Sequence, residues 1–127
     1  KTKKKENVNK GLVFFSFPEV LVICFKRFNY INYTTQKKNN TVVHFPLKNL
    51  DLSKYCKGYN SKEYIYDLYG VCNHEGGMNG GHYTASVKNA NGYWYNFNDT
   101  NIKKIDDAEN TLNTNHAYCL FYKKKLT

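Results

Sequence analysis

The sequence predicts a mainly β protein, an antiparallel sheet with one or two short helices. Three observations carry this. Segments rich in Val, Ile, Tyr and Phe recur along the 127 residues. Clusters of Asn, Gly and Pro separate them. Strict two-residue alternation runs through HYTASVK at 82–88 and YWYNFN at 93–98.

In chain order, residues 1–10 are polar and basic and read as a disordered arm ahead of a folded part spanning 11–125. LVFFSF at 12–17 reads as a strand ended by Pro18. VLVICFKRF at 20–28 is almost continuously apolar and reads as one buried strand. Residues 29–40 read as a polar turn region, and 41–45 as a short strand that Pro46 stops. Residues 47–57 read as extended or loose. YIYDLYGVCN at 64–73 is a strand, followed by a glycine-rich loop, EGGMNGG, at 75–81. Strands at 82–88 and 93–98 flank the turn NANG. Residues 101–105 read as another strand. Asp106 and Glu109 are spaced as a capping box that opens a short helix. AYCLFY at 117–122 reads as the last buried strand.

Composition narrows the function. Hydrophobic residues at 41% and aromatics at 17% are too many for a disordered chain. No apolar run approaches the ~18 residues of a membrane span, and the opening residues lack the apolar core of a signal peptide. The first residue is Lys rather than Met, which reads as a processed or excised boundary. Net charge is +9, yet of 19 basic residues only Arg27 is arginine. Base reading and bidentate phosphate contacts favour Arg, so the charge argues for solvated lysine tails rather than nucleic-acid binding. Cys24, Cys56, Cys72 and Cys119 include no C-x-x-C pair, so no zinc ribbon or thioredoxin site is expected. Reduced thiols in a cytoplasmic or nuclear setting are the expectation.

The most informative segment is 82–99. Alternation puts His82, Thr84 and Ser86 on one face of their strand and Tyr83, Ala85 and Val87 on the other. Matching apolar faces predicts a hairpin centred on Ala90 that pairs Tyr83 with Phe97, Ala85 with Tyr95 and His82 with Asn98. The His82 ring and the Asn98 carboxamide then meet on the polar face, and Asp99 follows as the strand ends. A histidine base needs an acceptor on its far nitrogen to fix its tautomer, as in Cys–His–Asn and Cys–His–Asp sites. A His and an Asn on a hairpin can equally be polar neighbours on a wet face, and a glycine run can be a plain loop.

The motifs resemble one family. GGHYTA at 80–85 followed by WYNFND at 94–99 resembles the C-terminal histidine box of ubiquitin-specific proteases, which are papain-like cysteine deubiquitinases. FPEVLVICFKRF, VHFPLKNLDLSKY, YDLYGVCNHEG and AYCLFYKK resemble further segments of that family, in the same order. The resemblance implies the palm and fingers half of an α+β papain-like fold. It implies that His82 is the catalytic base, Asn98 its orienting partner and Asp99 a supporting acid. It places Gly76, Gly77, Gly80 and Gly81 over the ubiquitin tail, with Tyr83, Arg27 and Phe28 lining the tail channel. The implied partners are ubiquitin, ubiquitinated proteins and an N-terminal half carrying the nucleophile, whose Cys box has no counterpart here. The implied chemistry uses no metal or cofactor. Two other readings are an inactive ubiquitin-binding module of the same family and a basic β-domain that binds nucleic acid through its tyrosines.

Overall fold

The computed structural model describes residues 4–32, 36–59 and 64–126; Lys1 to Lys3 of the basic arm and Tyr33 to Thr35 of the polar turn region lie outside them. Residues 4–10 are exposed and carry neither strand nor helix. The strands are β1 Val20–Cys24, β2 Phe28–Tyr30, β3 Gln36–Lys38, β4 Leu50–Asp51, β5 Ile65–Gly77, β6 Gly80–Lys88, β7 Trp94–Asn98, β8 Asn101–Ile105 and β9 Ala117–Lys124. Among the described residues the helical pieces are a 3₁₀ turn, Ser53–Tyr55, and α1, Ala108–Thr111. The main sheet runs β1-β9-β5-β6-β7-β8, with β4 also on β5, and β2 and β3 form a separate ribbon. Every ladder in it is antiparallel, as the alternating patterns require.

One face of the main sheet carries the core. Tyr66, Leu68 and Val71 of β5 lie beside Leu120 and Tyr122 of β9, all nearly inaccessible. Burying each such side chain contributes about 1.5–3 kcal/mol. Trp94 and Ile105 extend the cluster, and Leu112 and Ala108 of the α1 region cover it. Two tyrosine hydroxyls deep in this cluster donate to proline carbonyls, Tyr66 to Pro18 at 2.6 Å and Tyr122 to Pro46 at 2.7 Å. Each satisfies a polar group that burial would otherwise strand.

Several expected elements differ. Residues 12–17 form no strand; they contribute a single bridge, Phe14 to Cys56. Their ring contacts, Phe14 on Phe17 and Phe17 on Tyr64, replace sheet pairing. Residues 41–45 are also irregular. Phe45 and Leu47 are nonetheless buried, because Asn113 accepts from the Phe45 amide and the Leu47 carbonyl accepts from Leu68. The 20–28 stretch breaks after Cys24, and β1 is half-exposed with Val20 and Val22 each at 47%. The break has a cause. The Arg27 guanidinium takes over from the ladder, donating to the carbonyls of Ala117 (2.7 Å), Asn39 and Thr41 (both 2.9 Å). The α1 cap is Asp107 rather than Asp106, its carboxylate accepting from the Asn110 amide. Finally, the glycine loop is mostly ladder: Gly76 pairs with Gly81 and Gly77 with Gly80, leaving Met78 and Asn79 as the turn.

Candidate active site

β6 and β7 bring His82 and Asn98 together through a register two residues away from the expected one. Ala85 pairs with Phe97, Ser86 with Asn96 and Val87 with Tyr95. A shift of two preserves sidedness, so His82 and Asn98 still share a face and meet diagonally rather than directly. The buried side of this hairpin carries Ser86 and Trp94, while Tyr83 and Tyr93 are more than half exposed. The Tyr and Phe face of the hairpin, apolar in sequence, is thus the more exposed one, because α1 covers the face of His82 and Trp94.

The His82 Nε2–H donates to Asn98 Oδ1 at 2.7 Å. Asn98 can only accept through that oxygen, so the imidazole proton sits on Nε2 and Nδ1 keeps its lone pair. Asp99 Oδ2 lies 3.9 Å from the same Nε2. Its position comes from the two-residue turn between Asn98 and Asn101, where Asp99 takes φ 50°; Asp tolerates this left-handed conformation better than most residues. The His82 side chain is 47% exposed. The arrangement is a histidine held by an acceptor on one nitrogen and open on the other, the geometry of a general base.

Beside it the glycine hairpin divides into two kinds of position. Gly76 has φ 93°, and a methyl on it would meet Gly80 O at 2.8 Å. A methyl on Gly81 would lie 2.2 Å from His74 Nε2 and 2.4 Å from Glu75 O. Both glycines are thus demanded by the fold. Gly77 and Gly80 are not, since a methyl on either meets no atom within 4 Å. They border a cleft of about 410 Å³ with Phe28, Gln36, Lys38, Met78 and Asn79. Of the residues expected along a tail channel, Phe28, Gly77 and Gly80 share this cleft. Tyr83 lies on the opposite sheet face from His82, against the His74 ring at 4.6 Å. Arg27 is buried, 3% exposed, and bound to backbone carbonyls, so it supports the wall rather than lining it.

His74 is the residue that sequence reasoning missed, although the N-H-x-G segment contained it. Its buried ring touches Phe28, Tyr83 and Tyr118. Its carbonyl accepts from Lys38 Nζ at 2.6 Å. Burial, helped by the nearby Lys38 charge, holds its pKa below the ordinary 6.5. The unfolded chain therefore binds the His74 proton more tightly than the folded chain. This contribution to stability is complete above pH 6.5 and is lost as pH falls below it. Thermal melts between about pH 7 and pH 5 are expected to show a falling Tm, and a His74→Gln variant a shallower fall. An equal slope in both proteins would show that His74 is not the group responsible.

None of the four cysteines is placed to serve His82. Cys56 is buried, its Sγ donating to Phe15 O. Cys24, Cys119 and Cys72 are successive partners across β1, β9 and β5, and the row continues to Ala85 of β6, on the face opposite His82.

The family model described as ubiquitin carboxyl-terminal hydrolase matches residues 1–122. Ubiquitin carboxyl-terminal hydrolase 9 of Arabidopsis thaliana is 42% identical over 96% of the chain, which spans 13% of that protein. Ubiquitin carboxyl-terminal hydrolase 4 of Pongo abelii is 40% identical over 97% of the chain, again 13% of its own length. Among solved structures, the SAGA DUB module of Ubp8, Sgf11, Sus1 and Sgf73 bound to monoubiquitin contains a similar chain. It superposes with a TM-score of 0.73 at 34% identity, over 87% of this chain and 24% of that one. Among the described residues no helix is long and apolar enough to cross a membrane. By sequence and by fold, the chain belongs to the ubiquitin carboxyl-terminal hydrolase family, as its resemblance to ubiquitin-specific proteases implies.

Proposed function

We propose that this chain is the histidine-bearing C-terminal part of a deubiquitinase catalytic domain, with residues 1–10 as a disordered arm and 11–125 as the folded part. The enzyme hydrolyses the bond after the C-terminal glycine of ubiquitin. The observation that carries the reading is the 2.7 Å contact from His82 Nε2 to Asn98 Oδ1, with Asp99 beside it. That contact leaves Nδ1 as the proton acceptor. The nucleophilic thiol comes from a part of the protein outside this chain. Nδ1 takes the thiol proton, and the thiolate attacks the glycine carbonyl. The protonated His82 then gives that proton to the departing lysine amine, leaving a thioester. A water molecule, deprotonated by His82, attacks the thioester and frees ubiquitin and the thiol. Asn98 holds the ring in place throughout, with Asp99 beside it as a supporting carboxylate.

The substrate assignment draws on Gly77 and Gly80. The fold has no need of either glycine, and together with Phe28 they border the cleft at the tip of the β5–β6 hairpin, whose second strand carries His82. A ubiquitin tail ending in Gly-Gly would pass over them with backbone against backbone. Gly76 and Gly81 shape the hairpin beneath, while Tyr83, Arg27 and His74 build the wall behind Phe28. Ubiquitinated proteins are the substrates in this reading. Free thiols at all four cysteines suit a cytoplasmic or nuclear setting.

Hydrolysis of a ubiquitin C-terminal reporter tests the proposal. The complete polypeptide is expected to turn it over and residues 1–127 alone to leave it intact. Robust turnover by residues 1–127 would place the nucleophile in this chain and refute the division of labour. Binding of ubiquitin by the complete polypeptide without turnover would identify an inactive binding module instead. The glycines give a finer test. Gly77→Ala and Gly80→Ala are expected to raise KM about tenfold, equivalent to roughly 1.4 kcal/mol, with Tm unchanged. Gly81→Ala is expected to lower Tm, because its methyl and the His74 ring cannot both fit. Unaltered KM in the first two would remove the cleft as the tail's path.

A further inference from the structure

Cys24 and Cys119 face each other across β1 and β9 with their sulfurs 3.0 Å apart. Both are free thiols. Directly opposed residues of antiparallel strands have Cα atoms about 4.5–5.5 Å apart, within the roughly 4.4–6.8 Å that a disulfide spans. The bond can therefore form without moving the backbone. Cys72 stands on the next strand as the other partner of Cys119. The two facing thiols have different surroundings. Cys24 is exposed on the outermost strand, while Cys119 is partly buried. Burial and the contact with Cys24 push the Cys119 thiol up to about 12, and burial also raises Cys72. An incoming oxidant therefore meets Cys24 first.

We infer that Cys24 and Cys119 form an oxidation site at which a hydroperoxide converts the thiol pair into a cross-strand disulfide. The Cys24 sulfur attacks the peroxide oxygen. The O–O bond breaks, leaving a sulfenic acid on Cys24 and, for hydrogen peroxide, releasing one water. The Cys119 sulfur then displaces the hydroxyl from Cys24. The S–S bond forms, and the Cys119 proton leaves with the hydroxyl as a second water. Two electrons pass from the sulfur pair to the peroxide. The new bond fixes the outermost strand to β9 at its last rung, just before the chain turns to Arg27 and the Phe28 side of the cleft.

The test uses the full chain treated with hydrogen peroxide near stoichiometry, with residual thiols blocked and trypsin digestion without reductant. Mass spectrometry is expected to find peptide 11–26 joined to peptide 105–123, and reductant to separate them. Cys72→Ser is expected to retain the link and Cys24→Ser to lose it. The result in the unmodified chain stands whether or not either variant folds. Cys24 left untouched, Cys24 carried to sulfinic or sulfonic acid without a link, or a link from 11–26 to 63–88 in place of 105–123 would each overturn the inference.

Discussion

His82→Ala in the complete polypeptide is expected to cut turnover of a ubiquitin C-terminal reporter by about 10³-fold, in the middle of the usual range for losing a general base. Folding should be little affected, because the side chain is half exposed and its hydrogen-bond partner, Asn98, is also exposed. The two effects can therefore be separated. Circular dichroism and Tm should match the parent while kcat falls. Asn98→Ala is expected to cost less, about 10- to 100-fold, because the ring loses its anchor but keeps its proton-accepting nitrogen. Asn98→Asp retains an acceptor oxygen and should recover most of that loss. If His82→Ala and Asn98→Ala both turned over like the parent, the hairpin pair would be polar neighbours and nothing more.

Tyr122→Ala is expected to carry the largest stability cost, about 3–5 kcal/mol by comparison with other large aromatic truncations. Tyr122 is fully buried beside Leu68 in β5 and Leu21 in β1, so its loss opens a cavity under β1, β9 and β5. Its hydroxyl also donates to Pro46 O at 2.7 Å, pinning the irregular segment that carries Phe45 and Leu47. Tyr122→Phe keeps the ring and strands only that carbonyl, for about 1 kcal/mol. Urea unfolding of the three proteins separates the terms. Equal losses for Phe and Ala would mean that the hydroxyl, not the ring, holds the sheet together.

The sequence made the site legible for a simple physical reason. Side-chain alternation has a period of two, so His82 and Asn98 shared a face even with the hairpin placed two residues out of register. What alternation could not reveal was which face lies inward. That depends on α1 and on segment 41–47, both distant along the chain, packing over Trp94 and Tyr122. Residues 12–17 and 41–45 have the composition of strands, yet their apolar side chains are used by tertiary contacts. The family resemblance puts Arg27 along the tail channel. Its place is instead set by three backbone carbonyls, which no local pattern encodes. The separation of Gly76 and Gly81 from Gly77 and Gly80 also needed coordinates, since all four look alike in sequence. His74 was hidden for the same reason. A histidine in a strand is ordinary until Gly81 is seen to make room for its ring.

The most direct measurement is covalent capture of the complete polypeptide by ubiquitin bearing a thiol-reactive electrophile at its C-terminus. The expected adduct is on a cysteine other than Cys24, Cys56, Cys72 and Cys119, and its formation slows sharply in His82→Ala. An adduct on one of these four, or capture by His82→Ala at the parent rate, would contradict the assignment of His82 as the base for a thiol supplied from outside this chain.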